Sequence, residues 1–438
     1  MRRLTLLMTA ILFLCVNGYA QNDSKVKGLK DNLAKSDAAI QDPKKEIDPK
    51  TWMNRGKLFQ DIYGLNVSYL RFGMPVTEIK LYYKDPKQIL SIEENGAMRE
   101  TYEYSQINVT FENGALKYWE ETQSIIDDPI GKAVESYKKA SSLDDKGKNT
   151  KKINEAYNAI NNDLENKAFN EYYSQKYKEA YKSALQRIEV SKLLGITDTI
   201  YYYYAGFFAY AQSESNRDMW KESLDNLQKA ASIGFKETGE NKGHIYVMLY
   251  NSSINLGDSA KALKYAQEGF EKNPENIELI YVLINHYLQR NESREALVYV
   301  EKAKANDPKN ATLLFAEGTL YDKIGEKDKA ISAYDAAIAS DPKFFNPYFN
   351  KAVVYYNSAV KMMEEADKQK EIKKYEEMKE VAEKEFVKAI PPLEQAHAIN
   401  PKDRDVMETL KSLYYRLKAK NPEMESKYVD IVKKLEEL

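Results

Sequence analysis

The sequence predicts a mainly α-helical fold, a right-handed solenoid of antiparallel helix pairs with a small α+β insertion near the N-terminus. The first observation behind this prediction is a proline that recurs every 34 residues, at Pro274, Pro308 and Pro342. The second is an alanine with the same period, at Ala262, Ala296 and Ala330. A fixed period of this length indicates a tandem helix–turn–helix repeat. The third is a break in the helical pattern between residues 67 and 122, which predicts the insertion.

The unit from Ala311 to Phe344 shows how one repeat is built. Apolar residues three or four apart place one stripe on each of its two helices. Gly325 separates the helices, and Pro342 ends the second one. Small residues that allow close approach face large ones that fill the space between the helices: Gly318, Ala330 and Ala337 against Leu314, Tyr321 and Tyr334.

The two preceding units follow the same scheme in register. The residues that carry it are Ile280, Leu283, Tyr287, Ala296 and Val300 in one unit and Tyr246, Leu249, Gly257, Ala266 and Gly269 in the other. These residues resemble the tetratricopeptide repeat, a pair of antiparallel helices. Weaker copies flank the three units, so we expect about seven repeat pairs in all.

The pattern divides the chain into eight segments. They are a signal peptide (1–20), N-terminal helices with the first half of a split repeat (21–66), the inserted α+β domain (67–122), the second half of the split repeat with a linker helix (127–160), two divergent repeats (161–242), three regular repeats (243–344), a repeat with a long charged helical hairpin (345–402) and C-terminal capping helices (403–438). The hairpin is predicted because Val360 to Phe386 contains neither Gly nor Pro and is rich in Glu, Lys and Met.

The insertion opens with Gly73-Met74-Pro75, which predicts a short helix that ends near Asp85. Tyr102 to Phe111 then alternates between apolar and polar residues, and Asn113-Gly114 follows as a hairpin turn signal. We therefore expect a small antiparallel meander. The run from Gly73 to Glu121 is similar to the small α+β domain of the SmpA/OmlA type, a resemblance that implies a cell-envelope protein without assigning a role. The alternative is a decorated loop.

The N-terminus predicts secretion. Arg2 and Arg3 precede an apolar run from Leu4 to Val16, and a small-x-small motif ends at Ala20. This order is typical of a signal peptide cut after Ala20. The alternative is a retained N-terminal anchor. We expect no integral membrane span after cleavage.

The composition argues against several classes of function. The 65 basic and 67 acidic residues nearly balance, so a nucleic-acid partner has no electrostatic support. Cys15 is the only cysteine and lies in the predicted signal peptide. His244, His286 and His397 are far apart in the sequence and form no ligand motif. We therefore expect no cofactor, no metal site and no catalytic residue.

A partner-binding groove is the better-supported site. In tetratricopeptide arrays the first helix of each pair lines the concave wall, and tyrosine and asparagine suit peptide recognition there. The predicted groove residues are Tyr203, Phe207, Tyr210, Val247, Asn251, Tyr281, Asn285, Phe315, Thr319, Phe349 and Tyr356. The alternative is that these residues only fulfil the repeat consensus.

Unit order, the charged hairpin and the signal peptide resemble secreted tetratricopeptide-repeat proteins of the Bacteroidota. The resemblance implies a periplasmic or outer-membrane-associated protein. Our first hypothesis is a non-catalytic envelope scaffold or adaptor that binds proteins or peptide segments, with a role in outer-membrane or secretion-related assembly. A periplasmic holdase for unfolded envelope proteins is the alternative. An enzyme would need a polar site between the insertion and the solenoid. The partner and the oligomeric state do not follow from the residues.

Overall fold

The computed structural model describes residues 19–83, 85–94, 96–419 and 421–437. These residues form eighteen α-helices, one short 3-10 helix (Gly239–Asn241) and one four-stranded antiparallel sheet. The predicted fold class, a helical repeat protein with a small α+β insertion, is confirmed. The predicted signal peptide lies outside the described residues except for its last two, which begin the first helix. None of the helices in the described ranges is long and apolar enough to cross a membrane.

The helices in chain order have the following bounds: α1 (Tyr19–Ala39), α2 (Pro49–Gly64), α3 (Val76–Tyr82), α4 (Pro129–Ser142), α5 (Thr150–Tyr173), α6 (Tyr177–Leu193), α7 (Thr199–Ser213), α8 (Met219–Ser232), α9 (His244–Asn255), α10 (Ser259–Lys272), α11 (Ile277–Gln289), α12 (Ser293–Asn306), α13 (Ala311–Lys323), α14 (Lys327–Ser340), α15 (Phe345–Asp367), α16 (Ile372–Ile399), α17 (Arg404–Leu417) and α18 (Pro422–Glu436). The strands are β1 (Gln88–Glu94), β2 (Ala97–Glu103), β3 (Ile107–Glu112) and β4 (Ala115–Glu121).

The chain divides into two compact units. The first contains the residues up to Lys236 together with Asn251–Asp258, and α2 packs on α4, α5 on α6, and α7 on α8 within it. The second contains Glu237–Tyr250 and Ser259–Leu438, with packed pairs α11/α12, α13/α14, α15/α16 and α17/α18. Each unit has its own buried apolar clusters.

The close approach of paired helices depends on small residues in both units. A Cβ on Gly318 would lie 2.5 Å from Cε1 of Tyr334, whose ring is fully buried and cannot move aside. In the first unit, a Cβ on Gly206 would lie 2.5 Å from Cγ of Leu227. Only glycine allows these two contacts, because any larger residue would push the helices apart.

The insertion contains α3 and a sheet of order β1-β2-β3-β4 with antiparallel neighbours throughout. Asn113 and Gly114 connect β3 to β4 with φ of 51° and 81°, the left-handed values that this turn requires. Val109 and Phe111 of β3 are completely buried. The hairpin of β1 and β2 was not predicted, since β1 carries no regular alternation of apolar and polar residues.

Two predicted boundaries differ from the structure. Helix α5 runs without interruption from Thr150 to Tyr173, so the boundary predicted between residues 160 and 161 falls inside a helix. No Gly or Pro occurs within α5 to end it earlier. The short helix of the insertion begins at Val76 and ends at Tyr82, earlier than the predicted end near Asp85. The charged segment 360–386 forms the ends of α15 and α16, which pack against each other.

Candidate partner-binding surface

Helix α7 of the first unit is unusual in composition. Seven of its fifteen residues are aromatic, and none is charged. Tyr201 and Phe208 are buried and fix the helix to the core. The helix start is held by Asp198, whose side chain accepts the N–H of Tyr201 at 3.4 Å. The remaining rings are half-buried, so α7 presents apolar area and phenol groups at the surface.

Two of these rings, Phe207 and Tyr203, belong to a continuous series of contacting rings, which we call the aromatic ladder. It consists of Trp119, Phe72, Tyr173, Tyr172, Phe207, Tyr203 and Phe235, in that order. Neighbouring ring centroids lie 4.4 to 6.4 Å apart. Offset and edge-to-face contacts at these distances are favourable. The ladder therefore joins the inserted sheet to α5, α7 and the end of α8 within the first unit.

The insertion end of the ladder is fixed by hydrogen bonds. Asn170 of α5 accepts the N–H of Trp119 at 2.8 Å and donates to the Trp119 carbonyl at 2.9 Å. This amide thus occupies the open edge of β4 as another strand would. Lys176 and Glu120 form an ion pair at 2.5 Å beside it. The contacts hold the sheet against α5, so the ladder has a rigid support.

The phenol group of Tyr172 is a hydrogen-bond donor at neutral pH. Burial raises the pKa of Tyr172 above its ordinary value, and the phenols of Tyr177 and Tyr173 raise it further. The hydroxyl therefore keeps its proton. At the other end of α7, Tyr210 accepts a hydrogen bond from Asn251 at 2.9 Å and contacts the Trp220 ring.

The predicted groove residues of the second unit have different surroundings. Phe315 packs against Tyr334 and Phe344, and the hydroxyl of Thr319 donates to the carbonyl of Phe315 inside the same helix. Among the predicted groove residues of this unit, only Tyr281 and Asn285, which lie one turn apart on α11, are exposed. The second unit therefore places most of its predicted groove rings against its own core.

The three remaining predicted groove residues of the second unit also pack against their own unit. Phe349 stacks on Phe345, and Tyr356 contacts the ring of Phe386 in the α15/α16 pair. Val247 is buried, which contradicts its predicted place in a groove. The reason is that α9 is buried on several faces, since every residue from Ile245 to Tyr250 is buried.

Sequence reasoning found two members of the ladder, Tyr203 and Phe207, and missed the others. Tyr172 and Tyr173 lie at the end of α5, in a region where the period of 34 is lost. Phe235 lies beyond α8, and Phe72 and Trp119 lie in the insertion. The density of aromatic residues near both α5 and α7 was the one available signal.

The histidines form no shared site. His244 lies 3.9 Å from Glu278 at the surface. His286 is buried, and its Nδ1 lies 3.3 Å from the hydroxyl of Tyr250. Burial lowers the pKa of His286 and of His397 below the ordinary value. In the described part of the chain, no group of three His, Cys, Asp or Glu side chains could hold a metal ion.

A polar cleft of about 440 Å³ lies in the first unit where the insertion returns to the helix pairs. Glu121, Asp128, Lys167, Glu179 and Lys182 are among its lining residues. Several of these groups already have partners: Glu121 accepts from Asn66, Asp128 caps α4, and Lys167 pairs with Glu171. No histidine lines this cleft.

Comparison with known proteins identifies the repeats. The tetratricopeptide-repeat family model matches residues 281–343, which span most of α11 to α14. This part of the chain therefore consists of tetratricopeptide repeats, which are typically non-catalytic. No curated protein matches the chain.

Solved structures with similar helical arrays include MamA and YrrB. One crystal structure of MamA is 20% identical, covers 47% of this chain and 96% of its own, and has a TM-score of 0.32. MamA of MSR-1 is 16% identical, with coverage of 47% and 97% and a TM-score of 0.30. YrrB, described as a TPR protein with an unusual peptide-binding site, is 22% identical, with coverage of 45% and 94% and a TM-score of 0.32.

Proposed function

We propose that the protein is a non-catalytic scaffold or adaptor that binds protein partners through the aromatic ladder of its first unit. The observation that carries this proposal is the ladder itself: seven contacting rings, six of them partly exposed, on a surface whose central helix has no charge. Aromatic side chains supply large contact area at low entropic cost and dominate protein interfaces. Tetratricopeptide repeats bind proteins and peptides, which agrees with this role.

The proposed location is the cell envelope, in the periplasm or at the outer membrane. Three features of the sequence support it: the signal-peptide pattern that ends at Ala20, the resemblance to secreted repeat proteins of the Bacteroidota, and the likeness of 67–122 to the SmpA/OmlA type. Fractionation of the producing cells followed by N-terminal sequencing tests this proposal. We expect Gln21 as the first residue in the periplasmic or outer-membrane fraction, and a cytoplasmic protein that retains Met1 would contradict it.

A holdase for unfolded envelope proteins is the second candidate. The specific observation in its favour is the half-exposed apolar area of the ladder, which an unfolded chain could cover without a defined sequence. The two functions differ in selectivity. A scaffold binds one or two folded or peptide partners, whereas a holdase binds many unfolded ones.

Affinity capture from cross-linked cell envelopes tests the scaffold directly. The protein is compared with the double variant Tyr203→Ala and Phe207→Ala and with the control variant Tyr281→Ala. We expect one or two proteins that are captured by the wild type and by the control and are lost from the double variant. Circular dichroism establishes that the variants are folded.

Other outcomes of the capture separate the candidates. A broad set of secreted proteins would support the holdase and contradict the scaffold. Equal loss from the double variant and from Tyr281→Ala would show that the ladder is not the binding surface. Capture of the same proteins by all three forms would also exclude the ladder.

A further inference from the structure

The two edges of the inserted sheet differ in how they are protected. At the edge formed by β4, the side chain of Asn170 bonds to the backbone of Trp119. At the edge formed by β1, β2 is the only element of the described ranges that packs closely along the strand. The central residues of β1, 88–92, include no charge and no proline, which are the usual means of blocking an edge. This strand can therefore pair with another strand.

The backbone groups available for such pairing follow from the register of the sheet. The carbonyl of Glu103, a residue of β2 that lies opposite Gln88, points towards β1. Backbone groups alternate in direction along a strand, so those of Gln88 and of every second residue after it bond to β2. The groups of Ile89, Ser91 and Glu93 therefore point away from the sheet. None of them has a hydrogen-bond partner among the described residues.

A second copy of β1 is complementary to this edge in one antiparallel register. A two-fold axis relates two identical antiparallel strands and places one residue of each copy opposite itself. With Leu90 on the axis, Lys87 of each copy lies opposite Glu93 of the other, and Ile89 lies opposite Ser91. Each opposed pair of Ile89 and Ser91 can exchange both backbone hydrogen bonds, because the groups of both residues point outward. This register thus combines backbone pairing with opposite charges on both sides of the axis.

The neighbouring two-fold registers lack this complementarity. With Ser91 on the axis, Ile89 would lie opposite Glu93, so an apolar side chain would face a charge. With Ile89 on the axis, Asp85 would lie opposite Glu93, and like charges directly opposite each other are destabilising. The charge pattern around β1 therefore selects the register that is centred on Leu90.

The other charges of the first two strands lie further from a second copy. On β2, Glu100 and Glu103 lie one strand behind the edge. Adjacent strands are about 4.8 Å apart, so these carboxylates would be about 10 Å from the strand of the second copy, and salt screens most of the interaction at this distance. Arg99 of the same strand donates to Glu112 at 3.1 Å. The exposed Lys87 and Glu93 are therefore the charges that decide the pairing.

We propose that the protein forms a two-fold dimer in which the β1 strands of two copies pair antiparallel with Leu90 on the axis. The two four-stranded sheets then join into one continuous sheet. The pairing occupies the β1 edge of both copies, so assembly stops at the dimer. An edge of this length buries little area, and we expect a dissociation constant of about 10 µM. The dimer carries two partner-binding surfaces, which favours partners that have two binding segments.

Sedimentation equilibrium of the purified protein tests the dimer. Protein concentrations from about 1 to 100 µM extend tenfold below and above the expected dissociation constant. We expect the mass to rise over this range from that of one chain to that of two. Ser91→Pro removes an outward N–H and leaves the bonds to β2 in place, so it should prevent dimerisation. Thermal melting by circular dichroism shows whether the variant folds.

Charge reversal tests the partner and the register. Lys87→Glu and Glu93→Lys each place like charges opposite each other in both pairs, and we expect either change to weaken dimerisation about tenfold. The double variant Lys87→Glu/Glu93→Lys restores opposite charges and should dimerise as the wild type does. An equimolar mixture of the two single variants should form mixed dimers. The control variant Lys221→Glu, at an exposed position of α8, changes the net charge equally and should have no effect.

Several results would overturn the inference. A single-chain mass at every concentration would exclude the dimer, and a dimer that is insensitive to both reversals would have its interface elsewhere. Loss of dimerisation that the double variant does not restore would exclude this register. If Ser91→Pro loses a protein captured from envelopes while the wild type sediments as a single chain, the edge binds a strand of another protein. The inference is independent of the aromatic ladder, so the scaffold function stands or fails by the capture with Tyr203→Ala and Phe207→Ala.

Discussion

The first helices of the repeats carry aromatic side chains in both units, but these side chains have different surroundings. In the first unit, Phe207 of α7 contacts Tyr172 of α5, and Tyr173 of α5 contacts Phe72 of the insertion; all four rings are partly exposed. In the second unit, Phe315 and Tyr356 contact rings that belong to the core of their own repeats. Phe207, Phe315 and Tyr356 are all partly exposed and pack on a buried cluster of their own unit, so the two units differ in the rings that neighbour these side chains and not in their exposure.

The cause of this difference lies in what faces each first helix. In the first unit, α7 is itself crowded with aromatic residues, and α5 is a long helix whose last turn carries Tyr172 and Tyr173. The ring of Phe207 in α7 therefore contacts the ring of Tyr172 in α5. In the second unit, Phe344 follows α14 at the end of the same repeat and contacts the ring of Phe315. Identity at a repeat position is therefore not sufficient to assign a binding role.

The largest effect that sharpens this comparison is expected from Phe315→Ala. Removal of a ring packed on Tyr334 and Phe344 should lower the free energy of unfolding by about 2–4 kcal/mol. The exposed Tyr281 serves as the matched control, and Tyr281→Ala should change stability by less than about 0.5 kcal/mol. Urea unfolding followed by circular dichroism measures both. Equal stability losses would show that Tyr281 is also core and would remove the contrast between the residues.

Acidification should change the stability of the two units in opposite directions. Burial raises the pKa of Asp163 in the first unit from 3.8 to about 6, so the folded state holds a proton more tightly than the unfolded state. Its contribution to stability is full below pH 3.8 and is lost as pH rises through 6. In the second unit, burial lowers the pKa of His286 and His397, so their contribution is present above pH 6.5 and is lost as pH falls.

Hydrogen exchange at pH 7 and pH 5, corrected for the intrinsic rates, measures this difference. We expect α5 to gain protection on acidification and α11 to lose it. Asp163→Asn should stabilise the first unit at pH 7 by about 1 kcal/mol, since the amide carries no charge. The variant should also abolish the gain of protection that α5 shows on acidification. An unchanged pH response of α5 in Asp163→Asn would mean that another group controls it.

The smallest effect is expected at the end of the α15/α16 hairpin. Replacement of 361–384 by a short glycine-serine linker removes mostly exposed, charged residues. Ala359 and Phe386, which belong to the buried cluster of this repeat, remain. The unfolding free energy of the second unit should therefore change by less than about 1 kcal/mol. A collapse of the whole unit in thermal melting would show that the hairpin supports the repeats rather than extending from them.

The sequence contained enough information to predict the repeats, because a period of 34 fixes helix length, turn position and the sites of close contact such as Gly318. It also marked the turn at Asn113-Gly114. It did not reveal strand β1 or the first residues of β2, because the alternation of apolar and polar residues begins only at Tyr102. Nor did it reveal the ladder, because Trp119 and Tyr203 are far apart in the chain and their connection depends on tertiary contacts.

Hydroxyl-radical footprinting of the full-length protein with its captured partner tests the central claim most directly, because it reports the solvent exposure of individual tyrosine side chains. We predict that Tyr173 and Tyr203 lose reactivity in the complex while Tyr281 and Tyr415, exposed residues of the second unit, keep it. Protection of Tyr281 without protection of the ladder would contradict the account and would move the binding surface to the second unit.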